Sequence, residues 1–133
     1  MANFYSQGRT NYFAVKDGEI FEKEIERLQE GVGSPIELIK DERGYCLLFE
    51  EGFPTYFYNE EIGQEFDVDM EGIIREHLAD GSVCVMMETG AEKLRYLSAW
   101  SIAFNNKGDT KVIDLNHIYE GLESFGTFTQ CEW

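Results

Sequence analysis

The stretch that most constrains the fold is Lys93 to Phe104 (KLRYLSAWSIAF), with Asn105-Asn106-Lys107-Gly108-Asp109 after it and Lys111 to Leu115 (KVIDL) beyond. A dense Asn/Gly/Asp cluster between two aromatic and β-branched runs is a chain-reversal signal, so these runs are expected to pair antiparallel. The same grammar recurs upstream. Asn11 to Lys16 reads as a first strand. Pro35 to Lys40 and Tyr45 to Glu51 read as a hairpin closed by Asp41-Glu42-Arg43-Gly44. Thr55 to Tyr58 (TYFY) is a further strand, and Ser82 to Glu88 is expected to turn at Thr89-Gly90-Ala91 into the long run.

Between the strands lie two amphipathic helices. Asp17 would cap one from Gly18 to Glu30, where Phe21, Ile25 and Leu28 recur at helical spacing with Ile20 beside them and Gly31 and Gly33 mark the end. Asp69 would cap a second from Met70 to Ala79, burying Met70, Ile73, Ile74 and Leu78 before Gly81. Asn116 would cap a short final helix, His117 to Ser124, and Asn59 to Val68 reads as an acidic loop. These elements predict a single α+β domain over residues 1–133, a mostly antiparallel β-sheet with two main helices packed on one face and a short C-terminal helix.

Composition agrees with one packed core. The 133 residues include ten Phe, seven Tyr and two Trp, too much apolar material for a disordered chain. Three cysteines, Cys46, Cys84 and Cys131, stand far apart without a CxxC pair, which suits a reducing compartment. Cys46 and Cys84 lie in apolar runs and are expected to be buried. Met1 to Lys16 has no basic start followed by an apolar stretch, and no run approaches the ~20 apolar residues that span a bilayer. The expectation is a cytoplasmic protein with no membrane partner.

Chemistry-bearing motifs are sparse. The histidines are His77 and His117, and the sequence holds no HExxH, GxSxG or Gly-rich phosphate loop. Asp67-Val-Asp69-Met-Glu71-Gly72-Ile73-Ile74 opens like an EF-hand loop, but Leu78 stands where the twelfth-position acid belongs. No enzyme, metal site or cofactor is expected.

Charge is the functional signal. Twenty-six acidic against eleven basic side chains leave −15, which disfavours direct nucleic-acid binding and favours basic protein surfaces. The acids cluster. Glu50, Glu51, Glu60, Glu61, Glu65, Asp67, Asp69, Glu71 and Glu76 fall in a segment whose one basic residue is Arg75. Glu22, Glu26 and Glu30 repeat every fourth residue on the first helix, a spacing of about 6 Å that costs a few tenths of a kcal/mol per like pair. Asp67, Asp69 and Glu71 also suit the dipole of the second helix. Duplex DNA carries a negative charge about every 1.7 Å, so both segments on one face would begin to approximate a phosphate track.

Gly8-Arg9-Thr10-Asn11-Tyr12-Phe13-Ala14-Val15-Lys16-Asp17, Glu92 to Ala99 (EKLRYLSA) and Ile118-Tyr119-Glu120 resemble a family of small acidic proteins carried by phages and other bacterial mobile elements. The resemblance spans most of the chain and implies a lineage, with no catalytic residues to transfer. By analogy, acidic phage proteins of this size resemble anti-CRISPR or anti-restriction inhibitors, some of which imitate nucleic acid. The expected function is a non-catalytic inhibitor whose acidic face fills the basic nucleic-acid-binding surface of a defence effector, a CRISPR–Cas complex or restriction enzyme. The alternative is a mobile-element regulatory module that binds a partner through exposed aromatics such as Phe53, Tyr56 and Tyr58.

Overall fold

Register decides which side chains reach the core. The computed structural model describes residues 4–92 and 96–131. In chain order the elements are β1 (Phe4–Thr10), α1 (Gly18–Gly31), β2 (Ile36–Asp41), β3 (Gly44–Phe49), β4 (Tyr56–Asn59), β5 (Gln64–Asp67), α2 (Met70–His77), β6 (Cys84–Glu92), β7 (Tyr96–Phe104) and β8 (Thr110–Asp114). Two 3-10 helices follow, Leu115–Tyr119 and Leu122–Ser124. Six strands form one antiparallel sheet in the order β2-β3-β1-β6-β7-β8, while β4 and β5 pair only with each other.

Cross-strand partners share a face of a sheet, and the face alternates along each strand. One row runs Ile36, Phe49, Gly8, Glu88, Trp100, Asp114, and the next runs Glu37, Leu48, Arg9, Met87, Ser101, Ile113. The first face meets the helices. Phe21, Ile25 and Leu28 of α1 and Met70 and Ile74 of α2 join Tyr45, Leu47, Phe49, Met86 and Phe104 in one buried cluster. Each such side chain contributes about 1.5–3 kcal/mol relative to exposure. Among the described residues neither α1 nor α2 packs on the second face.

Both helix starts form as their caps require: Asp17 accepts from Ile20 N at 3.2 Å, and Asp69 accepts from Gly72 N at 3.0 Å. The β2–β3 hairpin also forms as expected, with Gly44 at φ +120, and Cys46 and Cys84 are both buried. The α+β class, the mostly antiparallel sheet and the helices on one face all match the reading of the sequence.

Several local expectations are corrected. The first strand is Phe4–Thr10, not Asn11 to Lys16. The latter is an extended connection pinned by bridges from Phe13 to Tyr45 and from Val15 to Leu78. Thr89-Gly90-Ala91 is strand, because Ala99, Ser98 and Leu97 pair with it in register. Lys93, Leu94 and Arg95, expected in the long strand, lie outside the described residues. The acidic loop contains β5, which pairs along β4. Ile20 faces solvent, 56% exposed. The C-terminal helix is two 3-10 turns, the first capped by Asp114 rather than Asn116. Among the described residues no helix is long and apolar enough to cross a membrane.

Candidate acidic binding surface

Asn59 and Gly63 shape the most acidic projection of the fold. Asn59 Oδ1 accepts from the backbone N–H of Glu61 at 3.0 Å, and Gly63 N–H donates to Asn59 O at 2.8 Å. Gly63 takes φ +65, which glycine adopts without strain. The tip between β4 and β5 therefore holds a defined shape, with Glu60 and Glu61 exposed on it.

Register then sorts the two strands. Tyr56 lies opposite Asp67 and Tyr58 opposite Glu65, so these four share one face, and all are exposed. Phe57 opposite Phe66 forms the other face, which bounds a cleft of about 300 Å³ with Arg27 and Leu28 of α1 and Ile73 of α2. Gly31 allows this docking. A β-carbon there would overlap the Phe57 ring, which lies directly on the glycine. Arg27 covers Phe57 at 5.3 Å and pairs with Glu24 at 3.0 Å. The Glu24 hydrogen bond, aided by the charges of Glu24 and Glu30, holds the Arg27 pKa above its usual value. A cationic group thus stands between α1 and the hairpin, so the acidic face there is not unbroken.

The predicted site residues fall into two groups. Glu60, Glu61, Glu65 and Asp67 belong to the exposed hairpin. Glu30 ends α1 near Arg27, and Glu51 shares a second cleft of about 290 Å³ with Tyr56. Glu26 is exposed one turn back, and Glu22, partly buried, lies about 12 Å from Glu30 along the axis. The remaining acids serve elsewhere. Asp69 caps α2, and Glu71 pairs with Arg75, which also donates to Asn105 O and Thr110 Oγ1, each at 3.0 Å. Glu50 rims the helix-free face of the sheet. Asp67 to Ile74 is accordingly a capped helix start and not a calcium loop. Phe53, which the alternative reading needs exposed, packs between Phe49 and Trp100. Reading Gln64 to Asp67 as loop concealed the pairing of Tyr56 with Asp67 and of Tyr58 with Glu65; period-two placement of Glu65 and Asp67 was the available signal.

The other chemistry-bearing side chains are structural in their surroundings. His77 packs edge-on against Phe21, and His117 caps its own 3-10 turn with Asp114. Cys46 Sγ sits 3.4 Å from Arg9 Nη2 and 3.2 Å from Thr10 O, wholly buried. Burial, with Cys46 nearby, pushes the Cys84 thiol up to about 12, so it stays neutral near pH 7. No group of three or more His, Cys, Asp or Glu suited to a metal occurs among the described residues. No family model matches the chain, and no curated protein or solved structure matches it either.

Proposed function

We propose that this chain is a non-catalytic binding protein that presents the β4–β5 hairpin to the basic groove of a nucleic-acid-binding protein. One observation carries the reading: Tyr56, Tyr58, Glu65 and Asp67 form a single exposed tile in which each tyrosine stands beside a carboxylate. An arginine that holds phosphate can stack its guanidinium plane on a tyrosine while its N–H groups bond a carboxylate. Glu60 and Glu61 at the tip and Glu30 and Glu51 at the sides extend the negative field around that tile. Among the described residues, none of these acids forms an ion pair. Neutralisation by a cationic partner would relieve their mutual repulsion. The resemblance to acidic phage proteins makes a CRISPR–Cas complex or restriction enzyme the class of target, blocked where it would hold DNA or RNA.

The test compares capture of basic nucleic-acid-binding proteins by the wild type and by Glu60→Lys/Glu61→Lys/Glu65→Lys, at low and high salt, with duplex DNA as competitor. Capture is expected to weaken at least tenfold in the variant, to fall with salt, and to be displaced by DNA. Equal capture by both chains sinks the proposal. If Tyr56→Ala/Tyr58→Ala alone abolishes binding and salt has no effect, the alternative holds: an aromatic interaction module without mimicry.

A further inference from the structure

The helix-free face of the sheet has two halves of opposite relief. On β6, β7 and β8, Met87, Leu97 and Ile113 stand up from a floor of Ala99, Ser101 and Ala103. The three large side chains are 53%, 65% and 51% exposed. Among the described residues no carboxylate projects from this half, because Glu88, Glu92 and Asp114 have the opposite parity and lie on the helix side. Its one charge among the described residues is Lys111, on the same face as Ile113. On β2, β3 and β1 the face sinks into a depression of about 470 Å³ that reaches Met87 and Thr89 of β6, with Leu48 and Arg9 within it and Glu37 and Glu50 among its lining.

We propose that two copies of this chain pair through this face about a twofold axis, the β7–β8 ridge of each seated in the β1–β3 depression of the other. Such an arrangement is isologous and closes on itself. Charge favours a second copy as the occupant. The chain carries −15, so most contacts between copies set acid against acid, and the β6–β8 half is a surface where, among the described residues, no acid is presented. Seating the ridge brings Lys111 toward a depression that holds Glu37 and Glu50 against the single cation Arg9 of the second copy, and the twofold repeats that pairing. Size fits as well. Six strands at about 4.8 Å and some six residues at about 3.3 Å give a face of roughly 600 Å² in projection, comparable to the ≈ 800 Å² each partner contributes to a standard interface. Ridge and depression also bury apolar surface that monomers rarely leave contiguous.

Sedimentation equilibrium of the full chain, over a range of concentrations and at two salt levels, tests this. Wild type is expected at twice the mass of one chain at micromolar concentration, and more tightly associated at high salt, where screening weakens the repulsion of two acidic bodies. Ile113→Asp and Lys111→Glu should each weaken association at least tenfold, and Glu37→Lys added to Lys111→Glu should restore it. Leu97→Asp, on a different strand, provides the same readout should the β8 variants lose their far-UV circular dichroism. A single-chain mass at every concentration and salt overturns the proposal, as does a dimer that the ridge substitutions leave intact. Reversal at Glu60, Glu61 and Glu65 does not weaken this association and, by lowering the net negative charge, tightens it if anything, whereas the same reversal weakens capture of a basic partner. Raised salt likewise loosens that capture while tightening the dimer, so the two proposals fail separately.

Discussion

Glu88 is the side chain whose surroundings are most specific. It lies on the helix side of the sheet, partly buried, accepting from Trp100 Nε1–H at 2.8 Å with one oxygen and from Phe53 N–H at 2.8 Å with the other. The carboxylate thereby ties β6 to β7 and to the segment leading into β4. Phe53 in turn packs on Phe49 and Trp100, and Gly8 leaves room for its ring. Glu88→Ala strands two donors at once, so a loss of about 2–3 kcal/mol is expected from the urea midpoint. Glu88→Gln keeps one acceptor and should lose roughly half as much. Equal stability of all three chains would show that water replaces the carboxylate. The sequence gives no hint of this role, since a glutamate between Met87 and Thr89 reads as a solvent-facing strand residue. Its partners are set by tertiary contacts with Phe53 and Trp100.

At the scale of elements, legibility tracks how local the cause is. Both helices and their Asp17 and Asp69 caps were readable, because a cap bonds three residues ahead and an apolar stripe repeats within a turn. The β2–β3 hairpin was readable from turn chemistry around Gly44. By contrast, β1 is FYSQGRT, polar in its middle, and holds its place through neighbours on both sides rather than its own pattern. The hairpin of β4 and β5 was half-read. Its aromatics announced one strand, while the acids of QEFD argued for loop and were outweighed by pairing. The acids themselves were visible as a cluster, but Asp69 and Glu71 proved to be occupied by a helix cap and an arginine. The hairpin docks on α1 through Phe57 at Gly31. Gly31→Ala should push the ring aside and cost about 1–3 kcal/mol by overpacking. It should also speed amide exchange in β4 and β5 while sparing β1 and β6. Unchanged hairpin exchange would mean that the docking is looser than the contact implies.

For the whole molecule, self-repulsion is the dominant electrostatic fact. Among the described residues, the carboxylates paired with arginine are Glu24, Asp41 and Glu71, and the first two pairs are too exposed to contribute much. Folding concentrates the remaining negative charge. Added sodium chloride should therefore raise the melting temperature of the Ile113→Asp variant, in which association does not intervene, by about 3–5 °C for a gain near 1 kcal/mol. A flat or falling temperature would mean that the unfolded chain is equally repelled.

The placement of β1 carries a consequence for biosynthesis. This strand is made before the other described strands yet sits inside the sheet, with Phe4 opposite Glu92 and Thr10 opposite Met86. While the ribosome is still translating, the β2–β3 hairpin can close on one flank of β1, but the other flank has nothing to bond until β6 emerges. Non-local pairing of this kind slows folding, and the waiting backbone is an adhesive edge during that interval. A net charge of −15 works against such contacts, since like-charged chains repel one another before as well as after the central ladder is complete.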